Sequence, residues 1–220
     1  MAKTIEVDAA IIGSGQAAPA LAVALAERGE KVVLVEAVQL GGSCINWGCT
    51  PTKTLRKSAR VAYLARRAAE FGVHVGTVEV DFAAAMERMQ QRVDASRAGL
   101  ESWIGGQANI TLLRGWGAFT ARAASGRFEL AVGEQPLSAD RVYLNTGTRA
   151  FIPPIPGITD VPWLDNVSLL ELRARPRHLV VIGGSYIGLE MGQIFRRLGS
   201  EVTVIEPGPR ITSREDPQVS

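Results

Sequence analysis

Apolar residues near the start of the chain fall in short unbroken blocks, VDAAII over residues 7–12 and KVVLV over residues 31–35. Blocks of this length without polar alternation predict strands covered on both faces, as in a parallel sheet. The alanine-rich stretch between them, ended by Gly29, predicts a helix to about Arg28. Pro51 opens a mixed polar and apolar segment that predicts a helix over residues 52–67, with proline at a favoured first-turn position. Asp81 is placed to cap a helix over residues 82–103, whose Met86, Met89, Val93, Leu100 and Ile104 recur at helical spacing and are expected in the core. Gly105 and Gly106 end it, and residues 110–113, 127–132 and 141–144 predict short strands. Trp116, between Gly115 and Gly117, is expected to pack in a turn.

After a stiff segment containing Pro153, Pro154, Pro156 and Gly157, the opening pattern starts again. Residues 179–182 predict a buried strand, 189–198 a helix stopped by Gly199, and 201–205 a second strand. The expected division is therefore residues 1–150 and residues 151–220. Alternating strands and helices put the chain in the α/β class.

Composition narrows this little. Of 220 residues, 46% are apolar and 21% charged, and the net charge of +2 is spread along the chain, which favours neither nucleic acid nor an anionic membrane as partner. No apolar run has the length of a membrane span. The first residues lack the basic start and apolar centre of a signal peptide, so a cytoplasmic protein is expected.

The turns carry the chemistry. Gly13-Ser14-Gly15-Gln16-Ala17-Ala18 joins the first strand to the first helix, and Glu36 closes the second strand. This is the context a dinucleotide fingerprint requires: Gly13 for a tight turn, Gly15 for close approach of a pyrophosphate, Ala18 for helix–strand packing, and Glu36 for ribose hydroxyls. A glycine turn alone would serve equally as a linker. The second copy reads Gly183-Gly184-Ser185-Tyr186-Ile187-Gly188, with Glu206 at the strand tip and Ser185 in place of the middle glycine.

Between the copies lies the segment 41–53, which holds both cysteines, Cys44 and Cys49, four residues apart. Cys49 falls at or just ahead of a helix N-terminus, where a thiolate is favoured. A pair at this spacing is able to close a small ring and open again. A static structural disulfide is the alternative, and the spacing by itself does not separate the two. His74 and His178 have no ligand spacing to the cysteines, so no metal site is expected. Two dinucleotide modules and one cysteine pair together imply electrons moving between two cofactors and a disulfide.

These motifs resemble, in one register over the whole chain, the flavin-dependent pyridine nucleotide–disulfide oxidoreductases, the group of dihydrolipoamide dehydrogenase, glutathione reductase and mercuric reductase. Gln16 in the first glycine loop and Pro-Thr-Lys-Thr-Leu after Cys49 look most like the mercuric-reductase-like subgroup. The resemblance implies a Rossmann-like FAD-binding domain followed by the first part of a second Rossmann-like, NAD(P)-binding domain. FAD would lie on Gly13, Gly15, Ala18 and Glu36, along Gly42 and Ser43, and near Gly147. Cys49 would be the cysteine against the flavin and Cys44 the one that exchanges with substrate. Lys53 would approach the flavin and pair with Glu190. Gly183, Gly184 and Gly188 would hold the phosphates of NAD(P)H, and Tyr186 would gate its nicotinamide. Glu206 favours the 2′-hydroxyl of NADH, while Arg210 nearby leaves NADPH open.

The implied reaction carries electrons from NAD(P)H through FAD to the Cys44–Cys49 disulfide, and on to a disulfide, a thiol-bound metal such as mercuric ion, or another oxidised substrate. A homodimer is implied for the intact enzyme. The family extends beyond the point reached at Ser220, so a truncated chain is expected. A C-terminal cysteine pair for metal transfer is missing from the sequence, and Trp47 is bulkier than the aliphatic residue usual between the cysteines. The competing readings are a FAD-binding fragment without turnover and a flavin reductase whose cysteines are structural.

Overall fold

The computed structural model describes residues 2–220. Packing divides the chain into two units, Met1–Gly48 with Val93–Trp163, and Cys49–Arg92 with Leu164–Ser220. The first is built on a six-stranded sheet. Its parallel strands are β1 (Ile5–Ile12), β2 (Val32–Glu36) and β3 (Ile110–Arg114), and β1 also pairs in parallel with residues 137–144 of the chain's longest strand. That strand belongs to the antiparallel meander of β4 (Gly117–Arg122), β5 (Phe128–Val132) and β6 (Gln135–Leu144), which gives the order β3-β2-β1-β6-β5-β4.

The unbroken apolar blocks behave as parallel strands covered on both faces. Ala9, Ile11, Val32 and Leu34 join one buried cluster with Ala18, Ala22 and Leu25 of helix α1 (Ala17–Ala26). Their neighbours Ala10, Ile12, Val33 and Val35 join a second cluster with Leu130, Leu137 and Ala139 of the meander. Each fully buried valine, leucine or isoleucine contributes about 1.5–3 kcal/mol, so these strands fix the frame on which the loops stand.

Two helices, one short and one long, carry the segment with both cysteines. Helix α2 (Gly42–Asn46) lies in the first unit, and helix α3 (Cys49–Arg66) opens the second. Helix α4 (Phe82–Gly105) runs from the second unit into the first, and its Met86, Met89, Val93 and Ile104 are buried as their spacing predicts. Asp81 caps it, accepting the N–H of Ala84 at 2.9 Å. In the second unit, β7 (His178–Ile182) and β8 (Glu201–Ile205) pair in parallel around α5 (Tyr186–Leu198), and α5 packs on α3, with Phe195 against Phe82 at 5.8 Å between ring centres.

The predicted elements need several corrections. The strand expected over residues 141–144 runs from Gln135, and β4 was not expected at all, because its exposed Thr120 and Arg122 break the apolar pattern. Helix α3 starts at Cys49 rather than at residue 52, since proline in the first turn removes no intrahelical bond. Helix α5 starts at Tyr186, three residues before the expected start. Trp116 is 78% exposed, so it does not pack in its turn. Among the described residues, no helix is long and apolar enough to cross a membrane.

Candidate functional site

In the first unit, β1 ends in a turn that the sheet itself holds. The N–H of Gly13 donates to Val35 at 2.8 Å, and that of Asn145 donates to Ile12 at 2.8 Å. Gly13 has φ +95°, and a Cβ there would lie 2.2 Å from the Asn145 carbonyl oxygen, so only glycine lets the turn pass this close to the end of β6. Ala18 is buried where α1 meets the sheet. Gly42 stands directly on Gly15: a Cβ on Gly42 would be 2.7 Å from the Gly15 Cα. The start of the cysteine segment and the first glycine loop are therefore one packed surface. Gly147, at φ +67°, is exposed and open, with no atom within 4 Å of a Cβ built on it, and Ser43 is exposed on α2.

Glu36 organises this loop. One carboxylate oxygen accepts the backbone N–H of Ser14 at 3.1 Å and the Ser14 hydroxyl; the other accepts the N–H of Val38 at 2.8 Å. A carboxylate offers about four acceptor positions, so one remains for a ribose hydroxyl. The first turn of α1 has no side-chain cap, so its positive dipole end is open to an anion, although the Ala18 N–H goes to the Gly15 carbonyl at 2.9 Å and Pro19 has none. These residues fit a dinucleotide.

The second unit repeats the arrangement. Gly183 N–H donates to Ile205 at 2.8 Å, as Gly13 does to Val35. Glu206 accepts the N–H of Gly184 at 2.7 Å and of Gly208 at 2.9 Å, matching Glu36 bond for bond apart from the hydroxyl that Gly184 lacks. Those two donors hold the Glu206 carboxyl below its ordinary value, because each favours the charged form. Gly188 lets α5 close on its strand, since a Cβ there would be 2.3 Å from the Gly183 carbonyl oxygen. Helix α5, like α1, has no side-chain cap. Tyr186, its first residue, is 70% exposed. A cavity of about 380 Å³ opens beside it, lined by Ser185, Tyr186, Glu206, Thr212 and Arg214 among others. Arg214 thus stands where the sequence pointed to Arg210.

Cys44 sits half-buried in α2, and Cys49 is the exposed first residue of α3. One turn further along α3, the Lys53 ammonium meets Glu190 of α5 at 2.7 Å and the Thr52 hydroxyl at 3.3 Å. The lysine side chain is 59% exposed and the glutamate 23%, so the pair is open to solvent on the lysine side. Among the described residues no group of histidine, cysteine and acidic side chains is arranged to hold a metal.

Three contributors escaped the sequence reading. Ser14 is fully buried and links Glu36 to the N–H of Gly41, which it accepts at 3.0 Å. Asn145 backs the Gly13 turn with its side-chain amide, 3.3 Å from the Gly13 carbonyl. Asn46 is a buried polar side chain in a segment where the cysteines drew all the notice. A polar residue flanked by small and apolar ones was the available signal for Ser14 and Asn46. Nothing local marks Asn145.

The family described as "Pyridine nucleotide-disulphide oxidoreductase" matches residues 7–220 of this chain. The chain is 37% identical to a mercuric reductase of Acidithiobacillus ferrooxidans over 97% of its own length and 39% of that enzyme. It is 34% identical to a mercuric reductase of Lysinibacillus sphaericus over 97% of its own length and 38% of that enzyme. The solved structure of the HOCl-induced flavoprotein disulfide reductase RclA from Escherichia coli superposes with a TM-score of 0.81 at 34% identity, covering 96% of this chain and 45% of that one. The chain thus spans less than half the length of each of these relatives.

Proposed function

This chain belongs to the pyridine nucleotide-disulphide oxidoreductase family, and on that footing we propose that it is the cofactor-binding and redox-thiol part of a disulfide oxidoreductase that reduces the Cys44–Cys49 pair at the expense of NAD(P)H. When bound, FAD and the nicotinamide supply hydride transfer; the protein supplies position and electrostatics. In balance, NAD(P)H and a proton reduce one disulfide to two thiols and leave NAD(P)⁺. The observation that carries the reading is the Lys53–Glu190 pair at 2.7 Å, one helical turn beyond Cys49. A lysine and a glutamate 137 residues apart meet beside a cysteine at a helix N-terminus.

In this reading residues 1–150 form the FAD domain, and residues 151–220 hold the linker and the NAD(P)-binding module. Gly13, Gly15 and Ala18 receive the FAD pyrophosphate, Glu36 its ribose, and Gly42, Ser43 and Gly147 lie along the rest of it. Cys49 is the thiol at the flavin, aided by its helix N-terminus. Cys44 is the thiol that attacks a disulfide, or that engages a thiophilic metal ion of the kind the mercuric reductases are named for. Lys53 and Glu190 set the charge beside Cys49. Gly183, Gly184 and Gly188 take the second cofactor's phosphates, Tyr186 covers its nicotinamide, and Glu206 selects NADH. The intact enzyme is a cytoplasmic homodimer in this reading.

The test is an anaerobic visible-absorbance titration of the FAD-loaded chain with NADH and, separately, NADPH. The expected result is a long-wavelength thiolate-to-flavin band that Cys49→Ser abolishes and Cys44→Ser preserves. A chain that binds no FAD overturns the reading. So does flavin that never responds to either nucleotide, which leaves a FAD-binding fragment, and so does turnover unchanged in Cys44→Ser, which leaves a flavin reductase with structural cysteines.

A further inference from the structure

Asn46 closes α2, two residues after Cys44, and is 95% buried, with 5% of its surface exposed. Its amide nitrogen donates to the carbonyls of Leu40 at 3.0 Å and Gly42 at 2.9 Å, with that of Gln39 at 3.4 Å. Its oxygen accepts both Nε and Nη2 of Arg97 on α4, at 3.0 and 2.8 Å. Arg97 is steadied in turn by Asp94, 3.3 Å away. The carbonyls that Asn46 holds belong to the loop that carries Gly41 and Gly42. That loop is tied on its other side to Ser14 through the Gly41 N–H and to Gly15 through backbone contact.

The site accepts only an uncharged amide. It asks for hydrogen-bond donors toward two or three carbonyls and an acceptor toward a guanidinium. Aspartate meets Arg97 but turns acceptors on the carbonyls, and an apolar residue leaves buried polar groups on both sides unmet, each a costly loss. A five-residue helix has too few internal bonds to hold itself in water. The order of α2 therefore draws on this side chain together with the ties to Ser14 and Gly15.

We propose that Asn46 is the positioning residue for Cys44: anchored by Arg97, it fixes the short helix that carries the thiol and so sets the reduction potential of the Cys44–Cys49 couple. The inference rests on the reading of that pair as redox-active. Four residues separate the cysteines, and α2 fixes the backbone of two of them, Ile45 and Asn46. Loosening α2 lowers the effective concentration of one sulfur at the other and disfavours ring closure.

The experiment equilibrates the full chain in glutathione buffers of stepped ratio, in which glutathione disulfide takes two electrons and two protons from the dithiol. Alkylation and mass spectrometry then give the disulfide fraction. Asn46→Asp is expected to shift the equilibrium about tenfold toward the dithiol, which for a two-electron couple is about 30 mV. Cys44 alkylation is expected to speed up by several-fold. Arg97→Met, which leaves Asn46 in place, is expected to give a smaller shift in the same direction and serves if Asn46→Asp fails to fold. Leu137→Ala, a core truncation paired with Ile5 at the end of β1 away from the loop, is the control for plain loss of stability and is expected to leave the equilibrium unchanged. An equilibrium unmoved in both Asn46→Asp and Arg97→Met, or moved equally in Leu137→Ala, overturns the proposal. A native chain that forms no Cys44–Cys49 disulfide at any ratio overturns the redox reading beneath it instead.

Discussion

Replacing Gly13 and Gly147 by alanine, one at a time, separates two costs that glycine avoids in the first unit. Both have positive φ, +95° and +67°, so each alanine carries a strain of about 1–2 kcal/mol for entering that region. At Gly147 nothing lies within 4 Å of the new methyl, so strain is the whole cost. At Gly13 the methyl would lie 2.2 Å from the Asn145 carbonyl oxygen, and that carbonyl cannot retreat freely because its own residue is bonded to Ile12 in the sheet. Overpacking against fixed backbone adds about 1–3 kcal/mol. Gly13→Ala should therefore destabilise the first unit by about 1–3 kcal/mol more than Gly147→Ala. Hydrogen exchange at the slowest amides of β1 and β2 reads this difference within that unit, as exchange roughly 5- to 150-fold faster in Gly13→Ala. Equal exchange in the two variants would refute the claim that the sheet end clamps the turn.

Four further outcomes follow from the geometry. Lys53→Met removes a largely exposed ion pair, so thermal unfolding should cost no more than about 1 kcal/mol while NADH-driven flavin reduction slows about tenfold; the reverse pattern would make the pair a strut. Glu206→Ala should weaken NADH against NADPH by about tenfold in binding titrations, and an unchanged ratio would remove Glu206 from cofactor choice. Because the Gly184 and Gly208 N–H groups lower the Glu206 pKa, that preference should stay level from alkaline to mildly acid pH and fade only below the usual carboxylate range; loss already near neutrality counts against it. Asp165 also has a lowered pKa, chiefly from the Ser168 N–H, so its contribution to stability is present above the ordinary aspartate range and is lost as pH falls through the depressed value. Asp165→Ala should thus differ from the native chain by about 1 kcal/mol in urea unfolding at neutral pH and converge with it in strong acid.

The sequence exposes what depends on neighbours along the chain. The apolar blocks of β1 and β2, the two glycine loops and their terminal glutamates are all readable, because buried parallel strands and tight turns constrain each residue locally. The pairing of Lys53 with Glu190 was implied by family resemblance alone, since no local signal joins residues so far apart. Strand β4 and helix α2 were hidden for different reasons. The first is mostly exposed and lacks an apolar face, while the second is held by the side chain of Asn46 and the ties to Ser14 and Gly15 rather than by helix-forming residues. Asn145 was invisible because its role is to stand behind a turn that lies 132 residues earlier.

Glu36 and Glu206 each grip their own glycine loop through the same two backbone donors, and in both cases the grip is complete within the unit that contains it. Read as kinetics, each loop has its working shape before a nucleotide arrives, so capture requires no folding step. Arrival rates should then follow diffusion and salt, with little dependence on which loop residue is altered. Changes at Ser14, Gly184 or either glutamate should appear instead as shorter residence of the bound nucleotide.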